Sequence, residues 1–181
     1  MDAPAFPGFT LRPLRLDDAA AWADYICLPE VTRHTSITAA NVDDVRREIE
    51  RTLTGEPGAP LRFAIVEDGR ATIVATVGFH GISTAFGTAE IAYDVAPSHW
   101  RRGIATAACR AATRWGFEHR GWQRIQATTV PANLGSQGVL ARCGYRREGL
   151  LRNDRRVRGQ PADYWMYAAI PGDVAAAGDG D

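Results

Sequence analysis

YDVAPSHWRRGIAT, residues 93–106, joins an alternating strand to a helix and is the most informative stretch of the sequence. Apolar and polar residues alternate along 89–95, and Gly103 opens a run of small and apolar residues at helical spacing. This order is typical of an anion site, because the free N–H groups of a first helical turn and the helix dipole both favour negative charge. Gly103 has no Cβ to hold an anion away from the backbone, and Arg101 and Arg102 add positive charge.

A glycine turn of this kind is also compatible with a plain strand-to-helix connection that binds nothing. Two other anion-binding motifs are not indicated. The turn contains no Gly-Lys-Ser/Thr, so it does not predict a nucleotide P-loop, and no Gly-x-Gly-x-x-Gly follows the strand, so it does not predict a dinucleotide fold.

The stretch resembles motif A of the GNAT acetyltransferases, in which Gln or Arg, two residues, Gly, one residue and then Gly or Ala surround the pyrophosphate of acetyl-CoA. Gly103 and Ala105 fill the two small positions, and Trp100 stands in the position of the Gln or Arg. A tryptophan there is similar to the ribosomal-protein N-terminal acetyltransferase branch, the RimJ/RimL type, which commonly reads Trp-Gly-x-Gly-x-Ala-Thr. Arg101 replaces the first glycine of that version.

A second match, over residues 133–145, resembles motif B of the same branch and reads Asn-x-x-Ser-x-x-Val-Leu-x-x-x-Gly-Tyr. Many other GNAT enzymes place a tyrosine general acid seven residues after the Asn. That position is Leu140 here, so the tyrosine mechanism is not carried over. Ser136 is the remaining candidate for protonating or hydrogen-bonding the leaving sulfur, unless it only helps to cap its helix.

The resemblance implies acetyl-CoA as cosubstrate, with no metal, and assigns its contacts. The pyrophosphate is assigned to the backbone amides of Arg101, Arg102, Gly103, Ile104, Ala105 and Thr106. The pantetheine arm is assigned to the end of the preceding strand and to one side chain, namely Val95, Ala96 and Asn133. Because pantetheine has two amides in a row, it can pair with a strand edge where two parallel strands splay apart.

Acetyl transfer to an amine also needs a base, because amines are mostly protonated near neutral pH. Glu90 is our candidate base, since it lies on the strand that leads to the glycine turn, where GNAT enzymes often place a glutamate. An outward-facing, solvated carboxylate is the alternative interpretation, and Asp94 is a second candidate. His80 is a further possible acceptor-site group, and His99 is expected to belong to the glycine turn.

The order of predicted elements matches the GNAT fold over nearly the whole chain. This is an α+β fold with a central mixed, mostly antiparallel sheet of about seven strands, splayed between two parallel strands and flanked by about four helices. We predict one domain over 1–171 and a disordered tail over 172–181, which is almost entirely Ala, Gly and Asp. Among local predictions, Phe9–Leu16 is a strand broken by Pro13, which favours a sheet edge or a bend, and 152–161 is a polar loop.

Three helix starts are also predicted. Apolar residues recur at helical spacing over Ala19–Ile26, a helix that Asp17 or Asp18 can cap. Asn41 and Asn133 are predicted to cap two further helices.

The composition of the 181 residues narrows the functional classes. The formal net charge is zero, which gives no general attraction to nucleic acid or membrane. All 21 basic residues are arginine, so Schiff-base chemistry on lysine is excluded. Three separate cysteines, expected to be reduced and buried, indicate neither a disulfide framework nor a zinc site. With no apolar run of about 20 residues and no signal-like N-terminus, we expect a cytoplasmic protein. We expect this protein to be a monomer or a homodimer.

The sequence therefore predicts an N-acetyltransferase that works by direct attack of a primary amine, because Cys109 and Cys143 read as helix residues rather than nucleophiles. The acceptor is an amine on a protein N-terminus or on a small molecule. The GNAT resemblance implies that the connection over 27–40 faces this acceptor, and a plain solvated connection is the alternative. A non-catalytic acyl-CoA-binding or ligand-sequestering module on the same fold is the alternative function.

The arginine-rich segment 142–158 is interpreted as a solvated loop. Contact with the 3′-phosphate of CoA or with an acidic substrate is an alternative, and nucleic-acid binding through the segment is a minor hypothesis.

Overall fold

The computed structural model describes residues 3–33 and 39–176, in which one seven-stranded sheet is flanked by helices on both faces. The strands are β1 (Phe9–Pro13), β2 (Leu61–Glu67), β3 (Ile73–Ser83), β4 (Thr88–Val95), β5 (Arg124–Thr129), β6 (Arg146–Val157) and β7 (Gln160–Ala169). Their order across the sheet is β1-β2-β3-β4-β5-β7-β6. The predicted fold class and strand number are confirmed.

The helices are α1 (Ala19–Ile26), α2 (Pro29–Thr32), α3 (Val42–Leu53), α4 (Ile104–Arg120), α5 (Leu134–Arg142) and α6 (Pro171–Ala176). Four of them have eight or more residues, in agreement with the prediction, and α2 and α6 are short additions. Two asparagines begin helices as their sequence positions predict. Asn41 accepts a hydrogen bond from the Asp44 amide at α3, and Asn133 accepts one from the Ser136 amide at α5, both at 3.0 Å.

The parallel pair β4 and β5 creates the opening that positions the site. Within the described residues, the register joins Thr88–Glu90 to Arg124–Gln126, and no β4–β5 pair continues beyond it. The Ala96 amide donates to the Val74 carbonyl at 2.9 Å, and this fixes the alternation along β4. The N–H and C=O groups of Ile91, Tyr93 and Val95 therefore point into the gap where β4 and β5 separate, which we call the splay.

The sheet separates two hydrophobic cores. On one face α4 and α5 pack on the sheet through residues such as Ile104, Trp115 and Leu140. On the other face α1 and α3 pack through Trp22 and Ile49. Helices α4 and α5 therefore pack directly on β4 and β5, whereas the layer of α1 and α3 packs mainly on β2 and β3. A cavity separates α3 from β4 and β5 on that face.

The first strand and the first helix differ in detail from prediction. Strand β1 ends at Pro13 and forms the sheet edge, as the proline predicts, but the chain then turns through a 3₁₀ segment, Leu16–Asp18. Asp18 does not cap α1 with its side chain. Its carboxylate accepts from the Arg15 amide at 2.8 Å and pairs with Arg12 at 2.7 Å, and so stabilises the 3₁₀ turn instead.

The predicted polar loop over 152–161 is wrong. Residues 152–157 continue β6, 160–161 begin β7, and the hairpin turn is only two residues long. The β6–β7 register shifts between Leu151 and Arg155, where Asn153 adopts a φ of 53° and its amide donates to Asp163 at 2.8 Å. This bulge keeps a strongly polar segment in the ladder, which an alternation pattern does not reveal.

The prediction of a disordered tail over 172–181 is wrong for the first residues of that segment. Helix α6 covers Pro171–Ala176, Val174 is buried in the core beneath it, and Asp173 pairs with Arg146 at 2.7 Å. One buried valine and one ion pair anchor a segment whose composition alone favours disorder. Residues 177–181 lie outside the described part of the chain.

No helix within 3–33 and 39–176 is long and apolar enough to cross a bilayer. Of the three cysteines, Cys109 and Cys143 are buried as predicted, whereas Cys27 is only partly buried.

Candidate active site

Two cavities lie on either side of the splay. One, which we call the α4 cavity, has a volume of about 640 Å³ and is lined by the turn before α4, the first turn of α4 and the first part of α5. The other, the α3 cavity, has a volume of about 470 Å³ and is lined by α3, the middle of β4, the end of β5 and the β6–β7 hairpin. Tyr93, Asn133 and Ser136 line both cavities, so the cavities meet at these three residues.

The α4 cavity ends on an exposed helix N-terminus. Gly103 precedes α4 with a φ of 77°, and a Cβ added to it would meet no protein atom within 4 Å. The open space beside Gly103 lets a ligand approach the backbone, and the first N–H groups of the 17-residue helix have no partner within the helix. Arg33, Arg101 and Arg142 line the same cavity, so its charge suits phosphate groups.

Seven of the nine predicted cofactor residues line the α4 cavity: Val95, Arg101, Gly103, Ile104, Ala105, Thr106 and Asn133. Ala96 and Arg102 do not. Ala96 is buried against the other core and its amide is already bonded to Val74. The guanidinium of Arg102 turns away and donates to the carboxylate of Glu67, at the end of β2. Ala96 therefore has no free amide for the pantetheine arm, and the Arg102 side chain does not line the cavity. The contact assigned to the Arg102 backbone amide stays a prediction.

The departures from motif A have structural explanations. The indole Nε1 of Trp100 donates to the Val95 carbonyl at 2.7 Å and ties the turn to the end of β4. Arg101, which replaces a glycine of the branch motif, adopts a φ of 62°, the left-handed conformation that glycine accepts at no steric cost. The backbone path is therefore one that suits glycine, with an arginine side chain added. His99 also lines this cavity, as predicted.

At the junction of the cavities, two hydroxyls are hydrogen-bonded to each other. Tyr93 Oη lies 2.9 Å from Ser136 Oγ, and Asn133 holds the Ser136 amide. Burial raises the pKa of Tyr93 well above its ordinary value, so its phenol stays protonated. The sequence-based prediction missed Tyr93, because the motif comparison concerned only position 140 on α5. Leu140 is buried there, and the phenol at this junction comes from β4. The β4 alternation, which groups Tyr93 with Ile91 and Val95, was the available signal.

Glu90 lies in the α3 cavity within a set of polar contacts, and the interpretation of a solvated outward carboxylate is wrong. Its carboxylate accepts from Thr128 Oγ1 at 2.6 Å and from the Arg155 guanidinium at 3.1 Å. Burial raises the pKa of Glu90, but the Thr128 hydrogen bond and the charges of His80 and Arg155 outweigh it, leaving the pKa below its ordinary value. Glu90 is therefore ionised near neutral pH and able to bind an ammonium.

His80 lies beside Glu90, with 3.8 Å between its Nε2 and Glu90 Oε1, and also lines the α3 cavity. Burial lowers the pKa of His80, with an opposing effect of the Glu90 charge and a further lowering by Arg155. The imidazole is thus mainly neutral at neutral pH and is a second proton acceptor in this cavity. The sequence-based suggestion that His80 is an acceptor-site group agrees with its position.

Asp94, the second candidate base, stabilises the fold instead. Its side chain is 1% exposed and accepts hydrogen bonds from Trp22 at 3.2 Å, Tyr25 at 2.6 Å and Thr76 at 2.7 Å. The Arg62 guanidinium completes the set. All of these donors are protein groups on α1, β2 and β3, so Asp94 joins the helical layer to the sheet and does not face an acceptor.

The arginine-rich segment is organised by neighbouring elements rather than solvated as a loop. Arg155 reaches Glu90 and Thr128, Arg147 stacks over the Trp165 ring at 4.5 Å, and Arg158 donates to the Thr32 carbonyl at 2.8 Å. The β6–β7 hairpin therefore forms one wall of the α3 cavity and contacts α2 at its tip. The predicted role of 27–40 in facing the acceptor lies partly outside the described residues, since 34–38 are not described.

No cysteine lines either cavity in the described part of the chain. A hydrogen bond with the neighbouring Cys143 thiol, together with burial, raises the pKa of Cys109 well above its ordinary value, which disfavours the Cys109 thiolate. Within residues 3–33 and 39–176, no three or more His, Cys, Asp or Glu side chains are arranged to hold a metal ion.

Comparison with known proteins agrees with this geometry. The family model described as "Acetyltransferase (GNAT) domain" matches residues 9–146. The uncharacterized N-acetyltransferase p20 of Bacillus licheniformis is 32% identical over 169 residues, covering 92% of this chain and 94% of that protein. The structure of Mycobacterium smegmatis RimJ in complex with CoA-disulfide superposes with a TM-score of 0.80 at 30% identity, covering 94% of this chain and 89% of that one.

A further solved structure, the ribosomal-protein-S5-alanine acetyltransferase of Vibrio fischeri, has a TM-score of 0.82 at 20% identity and covers 96% of this chain and 99% of that one. At that identity the similarity concerns the fold. The family model spans most of the chain, and the p20 and RimJ matches extend over nearly all of it. The chain therefore belongs to the GNAT acetyltransferases, on their RimJ/RimL-like branch, and is an N-acetyltransferase.

Proposed function

We propose that the protein transfers an acetyl group from acetyl-CoA to a primary amine, on a protein N-terminus or a small molecule, by direct attack. One observation carries this proposal: the α4 cavity and the α3 cavity share Tyr93, Asn133 and Ser136. A carrier bound in the first cavity and an amine bound in the second would meet beside two hydroxyl groups. The cytoplasmic location expected from the sequence stays a prediction.

The described residues offer what a phosphopantetheine carrier needs. The N-terminus of α4, the open space at Gly103 and the guanidinium of Arg101 would hold the pyrophosphate. The backbone edge of β4 that faces the splay would pair with the two pantetheine amides, and Asn133 lies beside that path. Acetyl-CoA, when bound, supplies an acetyl thioester with a thiolate leaving group.

The proton transfers are assigned to residues of the α3 cavity and of the junction. Glu90, directly or through a water, receives the proton that the ammonium loses, and His80 lies next to it. As the amine nitrogen bonds to the carbonyl carbon and the carbon–sulfur bond breaks, the Tyr93–Ser136 hydroxyl pair gives a proton to the departing sulfur. The amine nitrogen then gives its second proton to the hydroxyl pair, directly or through a water, and so restores the pair, while Glu90 releases the first proton to solvent. The products are an N-acetylated amine, a free thiol and one proton, and no further reactant is needed.

A thiol-release screen with acetyl-CoA tests this function. The panel contains peptides with Ala or Ser N-termini, amino acids, polyamines and aminoglycosides, and we expect turnover with at least one class of amine. Binding of acetyl-CoA with only background thiol release from every amine would instead support a non-catalytic acyl-CoA-binding module.

Arg101→Gly should weaken acetyl-CoA binding about 10-fold, because it removes a charge-assisted contact while glycine keeps the left-handed backbone. Arg102→Ala is the matched control, since that neighbouring guanidinium binds Glu67 and does not line the cavity. Its affinity should stay within about twofold of wild type. Calorimetric titration measures both. Equal losses, or none from Arg101→Gly, would remove the Arg101 side chain from the phosphate site.

Ser136→Ala should lower kcat at least about 10-fold with little change in acetyl-CoA affinity, because the leaving sulfur loses a proton donor. Tyr93→Phe should have a similar effect, and the double variant should fall no further than the worse single one, since the two hydroxyls act as one unit. Ser98→Ala, an exposed hydroxyl bonded to His99, is the control. If Ser136→Ala changes only affinity, Ser136 is a binding residue.

A further inference from the structure

One buried hydroxyl on the wall of the α3 cavity lacks a hydrogen-bond partner. Tyr164, on β7, is 3% exposed, and its Oη is one of three buried side-chain polar atoms without a partner in the described part of the chain. Thr129 Oγ1 is another, and Thr129 also lines the α3 cavity. Because more than about 90% of buried polar groups in folded proteins are satisfied, an unpaired hydroxyl beside a cavity points to a ligand that pairs with it.

The surroundings of Tyr164 favour an oxygen as that partner. Burial raises the pKa of Tyr164, so its phenol remains a hydrogen-bond donor. The guanidinium carbon of Arg155 lies 4.9 Å from the centre of the Tyr164 ring and adds positive charge nearby. A protonated hydroxyl next to a guanidinium suits a carbonyl, carboxylate or hydroxyl oxygen and disfavours a second ammonium group.

The charges of the α3 cavity lead to the same conclusion. Three described carboxylates line it, and each is paired with an arginine: Asp44 with Arg47, Glu48 with Arg51, and Glu90 with Arg155. A fourth lining arginine, Arg62, pairs with the buried Asp94. A polycation needs carboxylates free to bind several ammonium groups, and the described lining offers none without an arginine partner.

We propose that Tyr164 Oη is the hydrogen-bond donor of an acceptor subsite, and that the acceptor is an amine that carries an oxygen a few bonds from its nitrogen. α-Amino amides, peptide N-termini, amino acids and amino alcohols belong to this class, and polyamines do not. The proposal rests on the proposed function, because it assigns the α3 cavity to the amine. Tyr164 acts by positioning: the oxygen bound at its hydroxyl fixes the nitrogen near Glu90.

The test compares Tyr164→Phe with wild type on two small acceptors that share the CH₃–CH–NH₂ group. Alaninamide carries the oxygen, and sec-butylamine replaces the amide by an ethyl group. We expect kcat/KM for alaninamide to fall about 3- to 10-fold, mainly through KM, and kcat/KM for sec-butylamine and spermidine to stay unchanged. Tyr167→Phe is the control on the same strand, since its hydroxyl bonds to Gln137 and it lines neither cavity.

An equal loss on alaninamide and sec-butylamine, or no loss, would overturn the subsite. Thermal melting gives a second readout, because removing an unpaired hydroxyl should leave the variant at least as stable as wild type, whereas a hydroxyl with a structural partner should destabilise it when removed. A marked fall in melting temperature would therefore also count against the proposal.

Calorimetry separates this inference from the proposed function. The CoA-loaded protein is titrated with alaninamide, without turnover, for wild type and Tyr164→Phe. If no amine is acetylated but alaninamide binds and Tyr164→Phe weakens it, the transfer activity is wrong and the subsite stands. If wild type acetylates amines yet binds alaninamide no better than Tyr164→Phe does, the activity stands and the subsite is wrong.

Discussion

Glu90→Gln should lower kcat by about 100-fold or more while acetyl-CoA affinity stays unchanged. Glutamine keeps the shape of the side chain and can still accept from Thr128, but it cannot take a proton from the acceptor ammonium. General bases typically contribute a factor of about 10² to 10⁴. Steady-state thiol release measures kcat, and calorimetry measures affinity.

The pH dependence gives this variant a second signature. The pKa of Glu90 lies below its ordinary 4.5, so the carboxylate is ionised throughout about pH 6 to 9 and its own titration falls outside that window. Without the base, the reaction depends on amine that is already neutral, so the pH profile of kcat should shift upward. An unchanged profile would remove Glu90 from the mechanism. Glu148→Gln is the control, because that exposed carboxylate pairs with Arg124 outside both cavities.

The second large effect concerns stability. Asp94→Asn should cost about 3 to 5 kcal/mol of unfolding free energy, because it removes the buried charge that compensates the partly buried Arg62 and places an amide donor among existing donors. Denaturant unfolding measures the loss, and the melting temperature should fall by roughly 6 to 20 °C. Any loss of activity should follow the loss of folded protein.

Asp24→Asn is the matched control for that experiment. Asp24 lies on the exposed side of α1, the helix that supplies Trp22 and Tyr25 to Asp94. Its substitution should change the unfolding free energy by no more than about 0.5 kcal/mol. A similarly small effect of Asp94→Asn would mean that the buried carboxylate is not the joint between α1 and the sheet.

Local patterns were sufficient for the elements whose residues interact within a few positions. The helical periodicity of Ala19–Ile26, the asparagine caps of α3 and α5, and the glycine turn before α4 were all predicted and are present. Each depends on contacts between residues three or four apart, or on one backbone conformation. Most of the motif A residues line the α4 cavity, as the sequence predicts, because they follow one another on a single turn.

Local sequence patterns do not predict the α3 cavity, because strand pairing assembles it from distant segments of the chain. Arg155 reaches Glu90 across 65 positions, and Tyr93 meets Ser136 across 43. The polar β6 sequence hid a bulged strand, and so concealed that Arg155 and Tyr164 face the same cavity. The burial of Asp94 likewise depends on donors from α1, β2 and β3 that no single window contains.

A crystal structure of the protein with CoA is the most direct test of whether the two cavities form one reaction site. We predict the pyrophosphate on the N-terminus of α4 beside Gly103, and the sulfur within hydrogen-bond distance of the Tyr93 or Ser136 hydroxyl, at the junction with the α3 cavity. A sulfur placed away from these hydroxyls, or a CoA molecule bound away from Gly103, would contradict the proposed mechanism.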